Sequence, residues 1–128
     1  ECLIGIKQKL SKKSISLPVS APFHCQLMKP AAEEIKELIM NLSMQNPLIP
    51  MVSNVTAEAV TQADEVKQLL IQQIYKRVRW REIIEYMFKN SIDSFLEIGP
   101  GKALSGMLKR FKKEIEIKNY NNREDLEL

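Results

Sequence analysis

The sequence predicts an α/β fold. Helix-like and strand-like segments alternate along its 128 residues, with no internal repeat and no low-complexity tract. One junction shows the alternation most clearly. Phe95-Leu96-Glu97-Ile98 reads as a strand, Gly99-Pro100-Gly101 stops it, and Leu104, Leu108 and Phe111 then share one helical face.

The elements follow in order. Residues 1–12 read as helix, and Ser14 to Val19 as a short strand with Ile15, Leu17 and Val19 on one side. Ser20-Ala21-Pro22-Phe23-His24 is turn-like. Pro30 suits a first helical position, where it has no N–H to lose, and Glu33 and Glu34 suit a first turn. Ile35, Leu38, Ile39 and Leu42 then form one stripe expected to be buried, and Asn46-Pro47 ends the helical region. Ile49 to Val52 is a short strand running into Ser53-Asn54. Thr61 with Asp64 resembles a capping box opening a helix that buries Val66, Leu69, Leu70 and Ile74. A further helix starts near Val78 and turns Trp80, Ile83, Ile84 and Met87 inward. After the strand and helix around Gly99, Ile115 to Ile117 is a last strand, and residues 119–128 form a polar tail with a short helical end.

Composition excludes several classes. Apolar residues make up 45% and charged residues 27%, as in an ordinary globular domain. No apolar run is long enough to span a bilayer, and the start lacks the pattern of a signal peptide. The expectation is therefore a cytoplasmic protein that works away from membranes, with Cys2 and Cys25 as reduced thiols. The net charge is +3. Lys7, Lys9, Lys12 and Lys13, and later Lys109, Arg110, Lys112 and Lys113, read as solvated helix faces or as a docking surface for an acidic partner or phosphate. Nucleic acid is not expected as a partner, because aromatics do not interleave with these clusters. Glu1 in place of a start methionine, with helix-like residues directly after it, suggests a fragment of a longer protein.

Few residues can carry chemistry. His24 is the only histidine, placed after a strand and a proline-containing turn that could hold it rigidly. An imidazole can take a proton from a hydroxyl and return it to a leaving group, provided its other nitrogen is fixed. Cys25 is its neighbour, but adjacent residues on an extended chain point to opposite sides, which makes a Cys25–His24 dyad awkward. A structural thiol is the simpler reading. One histidine and two distant cysteines give no zinc spacing, so no metal or cofactor is expected. Gly99-Pro100-Gly101-Lys102 fails as a phosphate loop, since Leu96 and Ala103 stand where glycine and Ser or Thr are needed. It fails as a dinucleotide fingerprint because Leu104 replaces the third glycine. What remains is a tight strand-to-helix turn. No Gly-x-Ser-x-Gly elbow is present, and Ser105-Gly106 lies inside a predicted helix, so no complete acyl-transfer site exists in this chain.

Four segments together resemble a known family. Ser20-Ala21-Pro22-Phe23-His24-Cys25-Gln26-Leu27-Met28-Lys29-Pro30-Ala31-Ala32 resembles the active-site histidine segment of malonyl-CoA:acyl carrier protein transacylases. Pro50-Met51-Val52-Ser53-Asn54-Val55-Thr56-Ala57 resembles the next block of that family. Leu70-Ile71-Gln72-Gln73-Ile74 with Val78-Arg79-Trp80 is similar to its "L-x-x-Q-L…V-x-W" block, and Glu97 to Gly106 to its "E-I-G-P-G-K-V-L-x-G" block. The four stand in the family's order and cover residues 14 to about 111.

The resemblance implies the C-terminal part of an α/β-hydrolase-like acyltransferase subdomain. Residues 1–20 would end an inserted ferredoxin-like subdomain, and residues 21–128 would belong to the large one. It implies an [acyl-carrier-protein] S-malonyltransferase of fatty acid biosynthesis. A malonyl group would pass from malonyl-CoA to a serine and then to the phosphopantetheine thiol of holo-acyl carrier protein. His24 aligns with the general base. Gln73 aligns with the glutamine whose backbone carbonyl holds the other nitrogen. Phe23 matches malonyl-selective members, and Asn54 lies near the site. The serine, the oxyanion-hole glutamine and the arginine for the malonyl carboxylate would lie upstream of Glu1, leaving the isolated chain inactive. A monomer is expected. Two alternatives are a non-catalytic carrier-protein-binding domain of the same fold and a cysteine-dependent enzyme using Cys25.

Overall fold

The computed structural model describes residues 21–112 and 114–126. The helix expected over 1–12, the strand over 14–19 and the subdomain assigned to 1–20 lie outside the described residues. The elements run as a 3-10 turn (Gln26–Met28), α1 (Lys29–Met40), β1 (Met51–Val52), β2 (Ala59–Val60), α2 (Ala63–Gln73), α3 (Trp80–Lys89), β3 (Ser94–Ile98), α4 (Ala103–Leu108), β4 (Glu116–Tyr120) and a 3-10 turn (Glu124–Leu126). The α/β expectation holds.

The first half is built on α2. Strands β1 and β2 pair antiparallel, Met51 opposite Val60 and Val52 opposite Ala59. Pro50 has no N–H to give a ladder, so the strand expected from Ile49 begins only after it. The connecting residues 53–58 close on themselves. Ser53 N–H donates to the Glu58 carbonyl (3.0 Å), Ala57 N–H to the Ser53 carbonyl (2.9 Å), and Val55 N–H to Ser53 Oγ (3.1 Å). Val60, Val66 and Leu69 form the core here, with Met44, Met51, Val55 and Leu70 packed around them. Thr61 and Asp64 do not cap α2. Its N-cap residue is Gln62, and Asn46 Oδ1 accepts the Ala63 N–H (2.9 Å) from the loop after α1. A side chain 17 residues away satisfies an end that a local motif could have satisfied.

Helix α1 packs on α2. Lys67, itself buried, reaches back from α2 to donate to the Met40 carbonyl (3.1 Å), a cation at a helix C-terminus. The helix starts at Lys29, one residue before Pro30, so Glu33 and Glu34 fall beyond the first turn, and it ends at Met40, well before Asn46-Pro47. Its expected stripe is not buried. Ala32 is the one fully buried residue, while Ile35 is 39% exposed, Leu38 68% and Leu42 45%. The spacing was right for an apolar face, but within the described residues nothing covers it.

The second half is a β-α-β unit. Strands β3 and β4 pair in parallel from Ser94 opposite Glu116 to Ile98 opposite Tyr120, joined through α4. The last strand thus runs to Tyr120 rather than stopping at Ile117. Gly99 (φ +129°) and Gly101 (φ +94°) make the turn into α4, conformations that a side chain would strain. Phe88 of α3 meets Phe95 of β3 edge to face at 6.1 Å. Ile83 and Ile84 of α3 and Leu108 of α4 are buried, but Leu96 and Ile98 on β3 are 53% and 70% exposed.

Glu97 fastens this unit. Its carboxylate accepts the N–H groups of Leu104 (3.0 Å) and Ser105 (2.9 Å) at the start of α4, the Ser105 hydroxyl, and Asn119 Nδ2 of β4 (2.9 Å). One strand residue therefore caps the helix and pins the partner strand. The Ser105 hydroxyl, the Ser105 and Leu104 amides and Asn119 hold this carboxyl below the usual carboxylate range. A depressed folded-state value means stability present above the unfolded carboxyl's value of about 4.3 and lost as pH falls through the lower folded value. Glu97→Gln is expected to lower the thermal midpoint at neutral pH and to flatten its decline as pH falls below about 4.3. Scanning calorimetry across that range reads both effects.

Candidate active site

His24 sits in the turn between Pro22 and the 3-10 turn, with φ +60°. Histidine tolerates this left-handed conformation better than most residues, at a cost of about 1 kcal/mol or more. Three hydrogen bonds over-determine it. Phe23 N–H donates to the Ala21 carbonyl (2.9 Å), and His24 N–H donates to the Ile74 carbonyl (3.1 Å) just beyond α2. The His24 ring approaches the Gln73 backbone carbonyl, with Nδ1 2.7 Å from the oxygen. A carbonyl can only accept, so Nδ1 carries a proton, and in the neutral ring Nε2 then keeps its lone pair. The ring is exposed, and Nε2 is available to a substrate.

The end of α2 is what holds the histidine, and the loop at 53–58 holds that end. Asn54 Nδ2 donates to Gln73 Oε1 (3.4 Å), while the Asn54 carbonyl accepts Arg79 N–H (3.0 Å). Arg79 Nη1 donates to the Thr56 carbonyl (2.8 Å). His24, Gln73 and Asn54, which are far apart in sequence, are thus brought together. Asn54→Ala removes the side-chain tie to Gln73. The expected result is a loss of about 0.5–1.5 kcal/mol of stability, the contribution of a modest neutral hydrogen bond. Denaturant midpoints check it.

Cys25 does not pair with His24. Its thiol donates to the Pro22 carbonyl (3.1 Å), inside its own turn. Phe23 is 55% exposed and lies outside the groove that His24 lines. Among the described residues no group of three or more His, Cys, Asp or Glu side chains could hold a metal ion. The Ser105–Glu97 pair is absorbed in fastening α4.

The groove beside His24 has a volume of about 550 Å³, and Cys25, Val55, Lys76, Arg77 and Arg79 also line it. Sequence reading did not single out the cations. The signal was there, since Lys76-Arg77-Val78-Arg79 directly follows the Gln73 block. Glu82 bonds both arginines, to Arg77 Nη2 at 2.8 Å and Arg79 Nε at 3.3 Å. A backbone amide at the start of α3 and these two guanidiniums hold the Glu82 carboxyl below the usual carboxylate range.

Comparison with known proteins gives this geometry a context. No family model matches the chain. The malonyl CoA-acyl carrier protein transacylase of Bacillus subtilis is 38% identical over 122 residues, 95% of this chain and 38% of the relative. An acyl carrier protein S-malonyltransferase from Vibrio cholerae, solved by crystallography, superposes with TM-score 0.81 at 40% identity, covering 91% of this chain and 38% of that one. A malonyl-transacylase solved in complex with its type II PKS acyl-carrier protein superposes with TM-score 0.81 at 34% identity, covering 90% and 37%. The α/β architecture is that of an acyltransferase fold. Over most of its own length the chain is similar to malonyl CoA-acyl carrier protein transacylases. It spans about two fifths of the length of the relatives it matches, at 38% of the Bacillus subtilis protein.

Proposed function

We propose that this chain supplies the general-base half of an [acyl-carrier-protein] S-malonyltransferase site, with the nucleophilic serine on the remainder of the protein. The observation that carries the reading is the 2.7 Å contact between His24 Nδ1 and the Gln73 carbonyl, which leaves Nε2 as a positioned acceptor. In the proposed reaction, Nε2 takes the serine proton as the hydroxyl oxygen bonds to the malonyl carbon of malonyl-CoA. The C–S bond breaks, and Nε2 returns the proton to the departing coenzyme A thiolate. The pantetheine thiol of holo-acyl carrier protein then gives its proton to Nε2 and attacks the malonyl-serine ester. The protonated imidazole releases the serine by giving that proton back.

Gln73 takes the place that an aspartate holds in a serine hydrolase. A neutral carbonyl fixes the tautomer but stabilises the imidazolium less than a carboxylate does. Asn54 positions Gln73 through the side-chain contact. Phe23, one residue before His24 but outside its groove, would narrow an acyl pocket toward malonyl only where the remainder of the protein closes over it, and the oxyanion donors and the arginine for the malonyl carboxylate come from that same remainder. No metal or cofactor enters this chemistry.

The subdomain assignment belongs to the same proposal. Residues 21–128 lie in the large α/β-hydrolase-like part, and residues 1–20 end an inserted ferredoxin-like part. The uncovered apolar faces of α1 and β3 support a larger surrounding fold, because parallel strands are ordinarily covered on both faces. A cytoplasmic, monomeric enzyme belongs to the same proposal. None of the described helices is long and apolar enough to cross a membrane.

Malonyl transfer from malonyl-CoA to holo-acyl carrier protein by the complete protein tests the reading. Transfer is the expected result. A folded protein that binds holo-acyl carrier protein without transferring malonate would instead establish the carrier-binding module.

A further inference from the structure

We infer that the cationic wall of the His24 groove, Lys76 and Arg77 with Arg79 behind them, holds the phosphate at the head of the pantetheine arm. The inference rests on the transacylase reading and names how that site grips its substrates.

The charges beside the groove do not balance. Lys76, Arg77 and Arg79 line it with His24, and one carboxylate, Glu82, is shared between both arginines. Lys76 Nζ donates to Gln72 Oε1 (2.6 Å), a neutral acceptor, and among the described residues no carboxylate lies within ion-pair reach of it. Three cations against one carboxylate leave two positive charges uncompensated. Like charges gathered on one wall repel each other, and an anionic ligand offsets that repulsion.

The three cations divide by burial. Arg79 is committed to the protein. Its guanidinium donates to the Thr56 carbonyl and to Glu82, and its side chain is 38% exposed. Arg77 is 76% exposed and Lys76 is exposed, so both can turn their donors to a ligand in the groove mouth. Both follow Gln73 by only a few residues, in the turn that closes α2. There Lys76 N–H donates to the Gln72 carbonyl (2.9 Å) and Tyr75 N–H donates to the same oxygen (3.2 Å). The segment that fixes the imidazole therefore also fixes the cations, and one end of α2 registers the reactive nitrogen against the anion site.

A phosphate suits this wall. A guanidinium fork and an ammonium are the ordinary donors for phosphate oxygens. Both substrates of the proposed reaction carry a pantetheine arm ending in a phosphate, so one site would serve the donor and the acceptor in turn.

The test compares the complete protein with its Lys76→Gln/Arg77→Gln variant on three donors: malonyl-CoA, malonyl-phosphopantetheine and malonyl-pantetheine. The expected result is KM raised about tenfold for the two phosphate-bearing donors, with kcat retained and malonyl-pantetheine unaffected. Raising the salt concentration raises the wild-type KM for the first two donors and leaves the variant's nearly flat. An equal effect on all three donors, an effect on malonyl-CoA alone, or no effect overturns the inference. Calorimetric binding of phosphopantetheine against pantetheine reads the same contact without turnover. A wild type that transfers from none of the donors but prefers phosphopantetheine through Lys76 and Arg77 refutes the transacylase reading and leaves the phosphate site standing.

Discussion

Replacing His24 with alanine is expected to lower kcat for the proposed malonyl transfer by about a thousandfold or more in the complete protein, with little change in KM. The size follows from the role. A base held at one nitrogen and free at the other works only in the transition state, when the hydroxyl proton moves, so its loss removes rate and leaves ground-state binding intact. The fold tolerates the change, because the His24 ring is exposed and its one polar contact is to the Gln73 carbonyl, which can turn to water. His24→Gly also relieves the backbone at φ +60° and is expected to be as inactive as alanine, yet somewhat more stable than it. Steady-state kinetics beside thermal unfolding separates the two effects. Equal activity of the alanine variant and the wild type would keep the family and discard the site.

Ile84→Ala is the second large effect, on stability rather than rate. Ile84 is wholly buried in α3, and the cavity it lines is shared with Phe95 of β3, Leu108 of α4 and Ile117 of β4. Truncation removes three carbons where helix, strand and crossover helix meet, and the strands on the far side cannot close the gap without breaking their ladder. The expected cost is about 2–5 kcal/mol, with Ile84→Val costing about 1 kcal/mol. Denaturant midpoints measure both. The residual folded fraction of the alanine variant should retain nearly normal turnover, since α3 follows Arg79 but touches neither His24 nor Gln73 in the described hydrogen bonds.

The legible parts of this fold share one property: their signals are local. Gly99-Pro100-Gly101 announces the turn between β3 and α4 because only residues free of Cβ strain fit it. The stripes on α2 and α3 announce themselves by spacing, and Val66, Leu69, Ile83 and Ile84 are buried as read. What was missed depends on partners distant in sequence. Asn46 rather than Thr61 caps α2 because the loop after α1 folds back over its start. Glu97 reads as an ordinary strand residue until the β-α-β closure brings the start of α4 and Asn119, near the end of β4, to it. The stripe on α1 gives an apolar face without saying what lies against it.

The site divides in the same way. Composition and spacing alone left His24 a lone histidine, and the family blocks set it beside Gln73 across 49 residues. The cations at Lys76, Arg77 and Arg79 are plain in the sequence, but their meaning is geometric. They become a wall only when the turn after α2 faces His24 across one groove.

The account depends most on a neutral imidazole with its proton on Nδ1. His24 is the only histidine in this chain, and in the complete protein labelled with nitrogen-15 histidine its ring resonances are the ones lost in the His24→Ala variant. The account predicts that in the neutral ring Nδ1 has the shift of a protonated nitrogen and Nε2 that of a bare acceptor, with the Nδ1 proton coupled through its hydrogen bond to the Gln73 carbonyl. A proton found on Nε2 would contradict it, because the nitrogen meant to accept from serine would already be occupied.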